Sequence, residues 1–371
     1  MTAISMLSVQ CGLLAGAAAC WLATACVPRP AAPAPPVEGA PITLVVAERG
    51  PRGPRLVAVD AHGDRQLLLV REPDERARDA NPVVSPDGRW VVFASSRGRA
   101  FDETRLWIAP LAPEATPVPL TTGPAIDSHP AWAPDGTAIV FASTRAGGDF
   151  DLWRLPIAGG RAAGPPVQLT DGPGHEVTPT VARDGAVIYA AVTPTGTGRE
   201  IESHLEERAP DGTIRVLTAG PGDVAPALAP DGVTLAFARP LILATGASSE
   251  LWRMARAGGE ATPVVALPLT DESGPVWSRD GTILFATSVL RGEAGVLFSA
   301  VVFVDLTEPV ARARILQDQA GPIARLTPAV GRGALDVAHL RGEPAYLVEL
   351  ARLVAGAAAA LEDAGAEPRS E

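Results

Sequence analysis

The chain has 371 residues, with 42 acidic against 31 basic side chains and a formal net charge of −11 at pH 7. That balance excludes a protein built to track phosphates, whose affinity comes from clustered cations, so no nucleic-acid partner is expected. The 3 cysteines, Cys11, Cys20 and Cys26, all lie in the leader, which excludes disulfides from everything downstream.

Residues 1–28 hold no charged side chain, and Cys11 to Ala25 is an apolar run ending Leu22-Ala23-Thr24-Ala25-Cys26. Small residues before a cysteine resemble a bacterial lipoprotein signal, with cleavage before Cys26 and lipid on its sulfur. Several acyl chains, at about 0.8 kcal/mol per buried methylene, would hold a soluble domain at a bilayer. The first basic residue is Arg29, whereas a secretory leader normally opens with one. An ordinary secreted protein and an uncleaved apolar anchor therefore stay open as alternatives. Val27, in place of Asp, leans the expected location from the inner towards the outer membrane. The expected organisation is a signal peptide over 1–25, a Pro/Ala-rich tether over 26–41, a repeat domain over 42–350 and an Ala-rich tail over 351–371.

The repeat domain is marked by Asp87-Gly88, Asp135-Gly136, Asp184-Gly185, Asp231-Gly232 and Asp280-Gly281, with aspartates 48, 49, 47 and 49 residues apart. Such a period signals an array of equal supersecondary units. Asp-Gly between apolar runs predicts a hairpin turn with both residues at positive φ. The run Ala138 to Ala142 reads as a strand buried on both faces, and Gly159-Gly160 as the next hairpin turn. Each unit is thus four short antiparallel strands, A to D. Strand A carries a proline (Pro82, Pro130, Pro179, Pro226, Pro275), strand C a Leu-Trp pair in three units, and strand D ends in Leu-Thr. Weaker units flank the five, over Ile42 to Val70 and over Leu326 to Leu350.

Four-stranded units that cannot close a core alone, repeated this often, predict an all-β protein: a β-propeller of six to seven four-stranded antiparallel blades. Seven is the expected count, because both flanking units look complete enough to stand apart. The repeat (proline in strand A, Ser/Ala-Pro-Asp-Gly, an apolar strand B, Leu-Trp, Leu-Thr) resembles the TolB-type propeller repeat over about residues 42 to 350. That resemblance implies a propeller without implying one activity, since such repeats occur in periplasmic translocation proteins, in prolyl oligopeptidase-like enzymes and in many lipoproteins. No counterpart of the amino-terminal domain of TolB itself is recognisable.

Three residues before each strand A proline stand Asp79, Asp127, Glu176, Asp223, Glu272 and Arg325. Strand A is innermost in a propeller, so these positions are expected as an acidic collar around the channel mouth, with the pre-proline residues, Asn81 and His129 among them, as the next layer inward. The collar would suit a basic peptide or a cation. The weightier reading is structural staples, with Arg97, Arg145 and Arg239 pairing carboxylates of adjacent blades. His129 is the only imidazole in the aligned layer, which argues against a metal, and the five histidines are scattered. Trp107, Trp153 and Trp252 read as packing between blades. Gly196 to Glu200, Leu241 to Ser249 and Leu290 to Gly295 read as irregular binding loops.

There is no Gly-x-Ser-x-Gly elbow, phosphate loop or paired metal motif. Neither a cofactor nor catalytic residues are expected. The expected function is a noncatalytic, lipid-anchored envelope scaffold that binds a protein, peptide or other envelope component through one channel face. The alternative is a carbohydrate-active lyase or hydrolase working at the channel mouth.

Overall fold

The structure is a computed structural model; between residues 43 and 331 it describes all but 49–51, 61–64, 71–75, 195–200, 221, 244–245, 266–269, 293–294, 309–310, 312 and 316–324. Cys26, the leader, the tether and the tail lie outside the described residues, as do strands B and C expected around Gly342.

In chain order the first strands are β1 (Leu44–Glu48), β2 (Arg55–Val59) and β3 (Arg65–Leu67). Blade 1 follows with β4 (Asp79–Val84), β5 (Trp90–Ser95), β6 (Arg105–Pro110) and β7 (Val118–Pro119). Blade 2 has β8 (Asp127–Trp132), β9 (Ala138–Ser143) and β10 (Asp151–Ala158), with β11 (Arg161–Ala162) and β12 (Val167–Gln168) both pairing with β10. Blade 3 comprises β13 (His175–Val181), β14 (Val187–Pro194), β15 (Ile201–Arg208) and β16 (Ile214–Val216). Blade 4 comprises β17 (Val224–Leu228), β18 (Thr234–Leu243), β19 (Gly246–Ala255) and β20 (Thr262–Val265). Blade 5 comprises β21 (Thr270–Trp277), β22 (Ile283–Gly292), β23 (Gly295–Asp305) and β24 (Ala313–Ile315). The last strand, β25 (Arg325–Val330), pairs antiparallel with β1, so both ends of the domain share the sheet β25-β1-β2-β3.

This shared sheet settles how the flanking units behave. They do not stand apart as expected: β25 supplies strand A, and β1, β2 and β3 supply B, C and D. The inner strands then touch in a closed circuit, β4 to β8, β13, β17, β21, β25 and back to β4. A hydrophobic cluster fills each gap between successive blades, among them Val92 and Ile108 of blade 1 against Phe141 and Leu155 of blade 2. Among the described residues the count is six blades. Closure across the chain ends removes the two exposed sheet faces that an open stack would leave.

The repeat is carried by fully buried strand B aromatics at an unvarying spacing: Phe93, Phe141, Tyr189, Phe237 and Phe285. Each such burial contributes roughly 1.5–3 kcal/mol. The Asp-Gly turns differ in detail from the expectation. Gly88 N–H donates to Ser85 O (2.8 Å) and Gly136 N–H to Ala133 O (2.8 Å), so the turn spans four residues and the glycine is its last. Only that glycine has positive φ, 68° at Gly88 and 73° at Gly136. Proline at the second position (Pro86, Pro134, Pro230) fixes φ for such a turn, and the aspartate then caps its own loop. Asp135 Oδ1, for example, accepts from Thr137 N–H at 2.9 Å.

Two further expectations change. Leu241 to Ser249 and Leu290 to Gly295 are largely regular ladder: β18 pairs with β19 as far as Leu243–Gly246, and β22 with β23 as far as Gly292–Gly295. Continued antiparallel pairing satisfies their backbone groups better than an irregular loop would. Gly196 to Glu200 lies outside the described residues.

Candidate functional site: the channel neck and its supports

Each strand A breaks register at its proline, with shifts between Ala80 and Val83, Ser128 and Ala131, Val177 and Thr180, Val224 and Ala227, and Ser273 and Val276. The residue before the proline sits in the left-handed region: φ is 50° at Asn81, 46° at His129, 52° at Thr178, 52° at Ala225 and 59° at Gly274. Proline disfavours the right-handed helical region for its predecessor, and the bulge re-aims that predecessor. For a threonine or alanine such a backbone costs on the order of 1–3 kcal/mol. These five residues and the neighbouring prolines line an axial neck of about 140 Å³.

The expected collar carboxylates occupy a different place. Asp79, Asp127, Glu176, Asp223 and Glu272 are all buried, and none lines the neck. Three are held by arginines of their own blade. Asp79 accepts from Ser95 Oγ (2.5 Å) and Arg97 Nη2 (3.0 Å). Asp127 accepts from Ser143 Oγ (2.5 Å) and Arg145 Nη2 (2.6 Å). Asp223 takes Arg239 in a bidentate grip, Nε at 2.6 Å and Nη2 at 2.8 Å. The pairing is within blades and not between adjacent ones, because the start of strand A and the end of antiparallel strand B lie side by side. Arg325 opens β25 opposite Glu48.

The strand C tryptophans complete these staples. Arg145 lies over Phe141 (5.0 Å) and Trp153 (5.3 Å), and Arg239 over Phe237 (5.1 Å) and Trp252 (4.8 Å). Trp107, Trp153 and Trp252 also pack against the clusters between blades, as expected. The two ring faces attract the guanidinium electrostatically and cover part of the ion pair. Nothing in the Leu-Trp motif taken alone announces this; the signal was the joint recurrence of Asp, Arg, Phe and Trp in units 1, 2 and 4.

Blades 3 and 5 place a glutamate there without an arginine. Glu272 accepts from Thr270 Oγ1 (2.6 Å) and Ser288 Oγ (3.0 Å) through one oxygen, while the other has no partner among the described residues. Burial, with Asp271 and Glu250 nearby, pushes its acid up to about 8. Burial raises Glu176 to about 7, helped by Asp151, Glu206 and Asp149, although a hydrogen bond to Thr170 opposes the shift. One Glu176 oxygen is likewise unpartnered. A neutral acid does here what an arginine does in the sister blades.

His129, at the neck, is pushed down to about 4 by burial and by the Arg78 charge, so its imidazole is neutral at physiological pH. Its Nδ1 lies 3.0 Å from Ser128 Oγ. His175 accepts the Phe150 N–H at Nδ1 (3.1 Å) and His204 meets Glu206 (3.0 Å), so both serve local structure. Among the described residues no group of three or more His, Cys, Asp or Glu side chains is arranged to hold a metal.

The family of the TolB beta propeller domain matches residues 74–279. The chain belongs to that family. Crystallographic TolB from Acinetobacter baumannii superposes with TM-score 0.57 at 15% identity, covering 80% of this chain and 68% of that one. A putative TolB from Agrobacterium tumefaciens gives TM-score 0.55 at 18% identity, covering 80% and 93%. Hydrazine synthase of Kuenenia stuttgartiensis gives 0.57 at 13% identity, covering 79% of this chain and 48% of that one. At such identities the likeness concerns the fold. No curated protein matches the sequence.

Proposed function

We propose that this TolB-family propeller is a noncatalytic envelope scaffold that binds a protein or peptide at the neck-side mouth of its channel. Cys26 would carry the lipid that tethers it, through the Pro/Ala-rich segment 26–41, to the periplasmic or outer-membrane face of the envelope. The observation that carries the reading is the ring of side chains on left-handed backbone, Asn81, His129 and Thr178 on one side and Ala225 and Gly274 on the other. Strain repeated blade after blade fits a surface set in advance for a ligand. The buried Asp79, Asp127, Glu176, Asp223 and Glu272 would act beneath it, fixing where each strand A begins, and Arg325 would hold the same position in the closing blade.

The test is site-specific photocrosslinking in intact cells from position 81 or 129, followed by affinity purification, with a probe at the outer-strand residue Ile214 for comparison. The neck probes should capture one envelope protein that the outer probe misses; equal capture from both would remove the reading. Mass measurement of the mature amino terminus checks the anchor, with a diacylglyceryl-modified Cys26 as the expected end group.

A further inference from the structure

Beyond the neck, towards the A–B turns, the inner strands enclose a wider chamber of about 540 Å³. Its wall is mixed: the strand A prolines, small aliphatic side chains, Trp132 and Trp277 supply the apolar part, and Thr180, Ser278 and backbone groups the polar part. The charged residues in that lining are Arg183 and Arg279, and no carboxylate joins them, in a chain whose net charge is −11. The turn aspartates face their own loops; Asp231 Oδ1, for instance, accepts from Val233 N–H at 2.8 Å. Arg279 is bound to backbone carbonyls, Gly331 O at 2.8 Å and Pro86 O at 2.9 Å, where it ties blade 5 to blades 6 and 1.

Arg183 is different. It is exposed at the chamber rim, and among the described residues it has no hydrogen bond or ion pair. Its neighbour Asp184 is engaged by Arg256 at 2.8 Å. At the same turn position blades 1, 2 and 4 carry Pro86, Pro134 and Pro230, the residue the turn prefers. Blades 3 and 5 both forgo that preference for arginine, and in blade 3 the guanidinium is left at the chamber rim. A planar fork of donors suits a carboxylate. The volume is that of a small-molecule site.

We propose that this chamber binds a small apolar carboxylate, its hydrocarbon body against Trp132, Trp277 and the prolines and its carboxylate on Arg183. An extended peptide is the poorer occupant. The strand A prolines lack N–H donors, and Trp132 Nε1 and Trp277 Nε1 already donate to the inner-strand carbonyls of Val83 (3.3 Å) and Ala227 (2.9 Å). The chamber shares the strand A prolines with the neck, but its carboxylate contact, Arg183, lies apart from the neck residues, and the proposal does not rest on the neck reading.

The test is calorimetric titration of the purified chain with sodium decanoate below its micellar concentration, with decanol and decyltrimethylammonium as neutral and cationic controls. Decanoate should bind saturably at one site, and decanol about tenfold more weakly or worse, as expected for loss of one charge-assisted pair. Arg183→Ala, and Arg183→Pro, which restores the residue of the sister blades, should each weaken decanoate about tenfold with an unchanged melting temperature. Ile214→Ala on the outer strand β16 should leave decanoate affinity unaltered. Decanol binding as well as decanoate, Arg183→Ala binding like the wild type, or loss of binding in Ile214→Ala would each overturn the proposal.

Discussion

Blades 1, 2 and 4 and blades 3 and 5 face one physical problem at one position and answer it differently. Each carries a buried acid three residues before its strand A proline. In the first group the acid is an aspartate closed by an arginine, and in blades 2 and 4 that arginine lies over the rings of a phenylalanine and a tryptophan. In the second group the arginine is absent and the partners across the sheet change together. Tyr189 faces Glu206, to which its hydroxyl donates at 2.7 Å, and Phe285 faces Phe303. A glutamate reaching one carbon further finds hydroxyl donors, and burial raises its acid against their opposing effect. One repeat position can thus be neutralised by a counter-ion or by protonation, and the two solutions respond to different perturbations.

Breaking the ion-pair solution should have the largest effect. Asp127→Ala strands Arg145, 17% exposed, without its carboxylate. Removing one member of a buried pair typically costs about 3–5 kcal/mol. Denaturant unfolding should show a loss towards that size, and the double variant Asp127→Ala/Arg145→Ala should recover part of it. If the double variant is no more stable than the single one, the staple is not the reason for the loss.

The protonated solution should show itself in pH dependence. The folded-state acids of Glu272 and Glu176, about 8 and about 7, stand above the ordinary 4.5, so the native state holds these protons more tightly than the unfolded chain does. Their stabilisation is complete below about pH 4.5 and is lost as pH rises through 7 and 8. The wild type should therefore lose stability between pH 5 and pH 9 through these groups. Glu176→Gln with Glu272→Gln should flatten that slope in melting curves taken across the range. An unaltered slope would mean that the two acids ionise without cost.

The smallest effect sharpens the contrast at the neck. Blade 5 has Gly274 where blade 3 has Thr178, both with positive φ, and the Thr178 hydroxyl is buried without a partner. Thr178→Gly should raise stability by about 1 kcal/mol, and Gly274→Thr should lower it by a similar amount. Thermal unfolding of the two variants checks both signs.

Much of this architecture was legible in local chemistry. Turn residues, strand B aromatics and strand A prolines act over a few positions, so their recurrence exposes the unit and the family. The recurrence of Asp with Arg was equally visible, but its partner was misassigned to the next blade. Antiparallel register alone places Asp79 beside Ser95, and that register is enough to correct the pairing. The burial of the collar was not legible, because a carboxylate beside a channel and a carboxylate beneath it have the same place in the repeat.

From the sequence by itself came the four-stranded unit, its period, the all-β class and the strand that lies innermost, because these follow from backbone propensities and hydrophobic alternation within one unit. Tertiary structure alone decided that β25 joins β1, that the acids turn inward to their own blades, and that Arg183 overlooks the chamber. Those outcomes depend on ring closure, where residues far apart in the chain meet only after every blade has packed against the next.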